Sequence, residues 1–198
     1  FEWGSGNIYD GTVLASYGNV IVVTINYRLG ILGFLRPGIR RNTVSNFGLF
    51  DQVAALQWIQ ENISEFGGDP SRVTVMGHNT GAACVGLLMT SPLAQGYQGG
   101  KGLFRRVILM SGNSLSPWSL ARDSYGVTLQ AARLLGCRAS ESSDEMGSCL
   151  RQKSLEELME IEVHAPRFTT PYGPIIDEVL IPMEPEKGLL MYSDRSEE

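Results

Sequence analysis

At 198 residues, 43% hydrophobic and 19% charged, the chain has the composition of a folded globular protein with material for about one domain core, which excludes a disordered or fibrous chain. Sixteen basic against 21 acidic residues give a net charge of −5, which argues against a general nucleic-acid surface, and Arg40 with Arg41 and Arg105 with Arg106 read as solvated loop or strand ends. No stretch approaches the roughly 20 apolar residues of a membrane-spanning helix.

The first periodic segment is residues 20–26, Val-Ile-Val-Val-Thr-Ile-Asn. A short, β-branched, continuous run of this kind predicts a strand buried on both faces, as in a parallel sheet covered by helices. After a loop rich in Gly, Pro and Arg, Asn46 is placed to cap a helix in which Leu49, Val53, Leu56, Ile59 and Ile63 recur at helical spacing. Phe66-Gly67-Gly68-Asp69-Pro70 ends that helix. A second buried strand, residues 72–76, runs into Gly77-His78-Asn79-Thr80-Gly81 and then a small-residue helix ending near Ser91 and Pro92. A third strand, residues 106–110, follows a connection containing Gly96, Gly99, Gly100 and Gly102. This strand–helix alternation predicts an α/β protein with a mostly parallel central sheet and helices on both faces.

Beyond Trp118 the pattern turns helical: residues 124–135 closed by Gly136, a short turn before Cys149, and residues 154–161 opened by the capping box Ser154/Glu157. Prolines between Pro166 and Pro185 break any long element there, and no internal repeat is present. Cys137 and Cys149 bracket a polar stretch with no His or further Cys close enough for a zinc site, which leaves a local disulfide or two free thiols. Cys84 sits in an apolar segment and reads as a small core residue. The residues predict neither a metal site nor a cofactor site.

Strand, tight turn and helix around Gly77 and Gly81 fit the G-x-S-x-G nucleophile elbow, whose sharp bend lifts the central side chain above the sheet. The central residue here is Asn79. A carboxamide offers no oxygen or sulfur that a base can activate, so acyl-enzyme chemistry is closed at this position. The fold tolerates the exchange, because the elbow residue sits at positive φ and Asn adopts that conformation more readily than most residues. On its own the pattern also suits an ordinary glycine turn. His78 and His164 are the two histidines and form no cluster, so each reads as a surface or packed imidazole.

The surroundings narrow the choice. The segments Phe1-Glu-Trp-Gly-Ser-Gly-Asn-Ile-Tyr-Asp-Gly11, residues 14–34 (Leu-Ala-Ser-Tyr-Gly through Tyr-Arg-Leu-Gly-Ile-Leu-Gly-Phe), residues 46–62 and residues 66–75 together resemble the type-B carboxylesterase and cholinesterase family, and within it the neuroligins, particularly invertebrate ones. The resemblance covers nearly the whole chain. It implies an α/β-hydrolase fold, with residues 1–198 forming part of a single domain truncated at both ends. The oxyanion-donating His-Gly-Gly strand end is then expected before Phe1, and the triad acid and histidine beyond Glu198; His164 is not their equivalent. Active relatives read Gly-Glu-Ser-Ala-Gly at the elbow, so this chain departs at His78, Asn79 and Thr80, which fits a retired site better than a single exchange.

By the same resemblance, Cys137 and Cys149 match a local disulfide loop of the family and an oxidising, extracellular setting. Asn62-Ile63-Ser64 has the form of a glycosylation sequon, but the matching region in relatives packs against the sheet, so Asn62 is expected more often bare than carrying sugar. The implied function is binding without turnover. It is that of a single-pass postsynaptic or junctional membrane protein engaging neurexin with calcium at the interface and dimerising through a C-terminal half. The rival readings are a serine carboxylesterase or cholinesterase with a substituted nucleophile, and another inactive cholinesterase-like adhesion protein of the gliotactin type.

Overall fold

A computed structural model describes residues 9–36, 45–96, 101–138 and 143–193; residues 1–8 of the first motif, Arg40, Arg41, Gly99 and Gly100 lie outside the described residues. The longest element is helix α3, Phe47–Asn62, preceded by α1 (Thr12–Gly18) and α2 (Gly30–Phe34). Its apolar stripe faces inward as its spacing predicts. Leu49, Val53 and Leu56 are buried, Ile59 packs against the same cluster, and Ile63 is buried in the 3-10 turn Ile63–Phe66 that follows. Gly67, at φ 78°, turns the chain out of the helix, and its neighbour Gly68 donates to the Ile63 carbonyl.

Asn46 stands at the helix start but does not cap it. It lies in the left-handed region (φ 59°, ψ 32°) with no side-chain cap bond, so the expected cap is corrected. Instead its fully buried carboxamide reaches residues 175–177, described below. At the other edge of α3, the Arg28 guanidinium grips Asp51 with two bonds of 2.8 and 2.7 Å and lies 5.3 Å from the Phe47 ring centroid.

Strands β1 (Thr74–His78) and β2 (Arg106–Met110) pair in parallel, from Thr74 opposite Arg106 to His78 opposite Met110. Helices α4 (Thr80–Leu88) and α5 (Pro92–Gln95) form the crossover between them. A parallel pair joined through helix bears out the α/β reading. After Thr80, α4 is built of glycine and apolar residues and packs against both strands, and Cys84, Leu87 and Leu88 join Leu49, Val53 and Leu56 in one core. Val75 packs against this core. Thr74, Met76, His78, Arg106, Ile108 and Met110, the alternate positions of both strands, are exposed. The strands are therefore half-buried instead of fully buried, because the described core forms on one side of the sheet.

Residues 20–26 overturn their own pattern. They carry no regular structure, and Val20, Ile21, Val23 and Ile25 are 38–49% exposed. A strand is a pairing with a neighbour, and among the described residues nothing pairs with this run, so apolar composition alone does not make it one.

The second half is helical: α6 (Ser124–Leu134), α7 (Ser143–Arg151), α8 (Leu155–Glu160) and α9 (Pro185–Ser193). Gly136 closes α6 at φ 68°, and the box at α8 is complete, with Ser154 N–H donating to Glu157 (2.8 Å) and Glu157 N–H to Ser154 (3.2 Å). Cys149 lies within α7, not after a short turn, and α9 was not anticipated. The polar sequence around both obscures the few buried positions, such as Met146 and Leu150, that hold α7 in place.

Candidate functional site

The elbow is built by three backbone approaches. β1 delivers the chain to Asn79, which adopts φ 54°, ψ −114° before α4 begins. Positive φ with strongly negative ψ lies outside the left-handed well, a strained turn that surrounding contacts must hold. The Asn79 N–H donates to the Met110 carbonyl at the end of β2 (2.8 Å), and the Asn79 carbonyl accepts from Ala83 in the first turn of α4 (3.1 Å). The bend is thus fixed by the next strand on one side and its own helix on the other.

Two glycines make those approaches possible. A Cβ on Gly77 would collide with the Gly81 carbonyl, and one on Gly112 with the Asn79 carbonyl. Gly81, the other glycine of the turn, has open space where its Cβ would stand, so the approach of Gly77 depends on its backbone position and not on its lack of a side chain. The Trp118 ring closes over Gly112, 3.2 Å from where a Cβ would stand. The Met110 carbonyl, Gly112 and Trp118 escaped the sequence reading, because only strand pairing brings residues some 30 positions away to the turn.

Asn79 and His78 are both exposed, and among the described residues no side-chain hydrogen bond engages either. His164 is 75% exposed, 4.0 Å from Glu162. Thr80 is half-buried behind the bend and helps line a cavity of about 60 Å³, together with Tyr27, Phe34, Cys84, Trp118 and Tyr172. A void of that size suits water and falls far below the roughly 300–1,000 Å³ of small-molecule sites. Burial pushes the Cys84 thiol up to about 11 and the Tyr27 and Tyr172 phenols to about 12, so all three stay neutral near pH 7. The larger concavity, about 420 Å³, is an open groove beside α1 that shares no lining residue with the elbow. The described elbow therefore presents a carboxamide, with no nucleophile–base pair at its apex.

The remaining candidate positions lie elsewhere. Cys137 and Cys149 are bonded to one another, with Cα atoms 5.9 Å apart. The bridge does more than close a surface loop: Cys137 is buried in a small core with Ala132, Leu135, Met146 and Leu150. Asn62 ends α3 with a partly exposed side chain. Among the described residues no group of three His, Cys, Asp or Glu side chains could hold a metal, and no helix is long and apolar enough to cross a membrane.

A strand, a strained turn at positive φ and a small-residue helix on a parallel sheet define an α/β-hydrolase-type protein, and the carboxylesterase family model matches residues 1–195. The chain belongs to the carboxylesterase family. It is 47% identical over 183 residues to Neuroligin-3 of Mus musculus, 44% to Neuroligin-2 of Mus musculus, and 39% over 195 residues to Neuroligin-1 of Caenorhabditis elegans. These alignments take in 92–94% of this chain but only 21–24% of each relative, so the chain spans about a fifth to a quarter of their length.

Proposed function

We propose that the chain is part of the extracellular, catalytically inactive domain of a neuroligin-type cell-adhesion protein. The observation that carries this reading is Asn79 at the apex of the elbow, at φ 54° with its N–H on the Met110 carbonyl. The bend that positions a nucleophile in active hydrolases is present here with a carboxamide in its place, which supports a scaffold kept for something other than turnover. Similarity to three neuroligins supports the adhesion branch, and the Cys137–Cys149 bridge supports an oxidising compartment.

In this reading the full-length protein is a single-pass membrane protein at a synapse or junction. It dimerises through segments C-terminal to this chain and engages a neurexin-like receptor, with calcium at that interface. The sheet and elbow described above are scaffold. Two measurements on the full-length protein test the proposal. Micromolar or tighter binding to a neurexin ectodomain in calcium, lost on chelation, is expected, and its absence defeats the neuroligin assignment. Ester hydrolysis at background level is also expected; turnover abolished by an organophosphate would restore the esterase reading.

A further inference from the structure

Asn62 stands beside an exposed aromatic pair. It closes α3 with a partly exposed side chain, Ile63 buried behind it and Ser64 exposed two residues on, so the middle residue of Asn62-Ile63-Ser64 anchors the turn while Ser64 faces outward. One helical turn back stands Trp58, 47% exposed, and Phe66 stands just beyond, 64% exposed, with ring centroids 6.0 Å apart at 47°. The Asn62 carboxamide donates to the Trp58 carbonyl (2.8 Å), which holds it on the face that Trp58 carries, since residues four apart in a helix are surface neighbours. Among the described residues nothing covers the Trp58–Phe66 pair, and the apolar C–H face of a pyranose is matched to an aromatic face of this kind.

The geometry points to Asn62 as an N-glycosylation site whose first N-acetylglucosamine packs on Trp58 and Phe66. This rests on the extracellular placement proposed above and reverses the expectation that packing against the sheet keeps Asn62 bare. The donor is a lipid-linked oligosaccharyl pyrophosphate. Asn62 Nδ2 forms a bond to C1 of the first sugar and gives up one proton to a base of the transferase. The C1–O bond to the pyrophosphate breaks, and the lipid pyrophosphate leaves with the electron pair. No oxidation or reduction is involved, and Asn62 keeps one N–H.

The test uses the full-length protein secreted or displayed by insect cells. Peptide-N-glycosidase treatment in ¹⁸O-water is expected to convert residue 62 in most molecules to ¹⁸O-labelled aspartate, and Ser64→Ala, which leaves Asn62 in place, is expected to abolish the label. Unmodified Asn62 in protein whose Cys137–Cys149 bridge is intact overturns the inference and leaves the extracellular reading standing. Unmodified Asn62 with both cysteines reduced overturns both. For the packing, Ser64→Ala is expected to lower Tm by about 1–3 °C in the native background and by much less in Trp58→Ala. Equal losses in the two backgrounds overturn the aromatic contact.

Discussion

Asn46 and Asp177, 131 residues apart, meet in the buried interior: Asn46 Nδ2 donates to Asp177 Oδ2 at 2.8 Å. The same carboxamide closes a second pair of bonds with the Ile175 backbone, donating to its carbonyl and accepting from its N–H, both at 2.8 Å. Asp177 Oδ1 in turn accepts from Val179, Leu180 and Ile181 N–H groups. The start of α3 is thereby clamped to the segment that carries Leu180 and Ile181 into the main core.

Two substitutions separate the components of that clamp. Asn46→Gly keeps the left-handed backbone accessible but strands the buried partners, and is expected to cost about 2–3 kcal/mol by denaturant unfolding. Asn46→Ala adds a backbone penalty at φ 59°, about 1 kcal/mol more. Equal losses for the two would mean that the left-handed conformation contributes nothing.

At the elbow the two flanking glycines are expected to behave differently. Gly77→Ala drives a Cβ into the Gly81 backbone, a rigid neighbour, and should destabilise by about 1–3 kcal/mol. Gly81→Ala meets open space and should change stability by less than about 1 kcal/mol. Comparing the two melting temperatures in the full-length protein checks this, and a large loss at Gly81 would show that another part of the protein packs there.

The three cysteines divide into a bridge and an inert thiol. Removing the bridge by Cys137→Ala with Cys149→Ala frees a loop of sequence separation 12 and is expected to cost about 3 kcal/mol. Cys84 is buried, and burial raises its thiol to about 11, so it stays protonated at pH 8. Iodoacetamide should leave Cys84 untouched in native protein and label it fully in denaturant; rapid native labelling would contradict its burial.

Acid should weaken the Arg28–Asp51 contact. Its hydrogen bonds with Arg28 hold the Asp51 carboxyl below the ordinary value of 3.8. A carboxyl depressed in the folded state stabilises above its unfolded value, and that contribution is lost as pH falls through the folded one. Stability should therefore decline below about pH 4, and Asp51→Asn should flatten that part of the curve. With Arg28 half-exposed, the effect is small and screened by salt. An unchanged acid limb in Asp51→Asn would assign the decline to other carboxyls.

Local signals in the sequence were enough for those elements whose causes are local. The stripe of α3, the Ser154/Glu157 box, the Gly67 and Gly136 exits, and the strand–turn–helix around Asn79 each depend on residues within a turn or two of one another. That Asn79 itself offers no nucleophilic atom was also legible, since it follows from the chemistry of one side chain. Tertiary structure decided what depends on distant neighbours. Residues 20–26 have strand composition and no strand, because a ladder needs a partner that composition does not name. Asn46 has cap chemistry and no cap, because its carboxamide is engaged by buried partners at Ile175 and Asp177, more than a hundred residues away. The elbow, foreseen as two glycines around Asn79, is held by Met110 and Gly112 from across the sheet, and the side chain whose absence matters is Gly77's, not Gly81's.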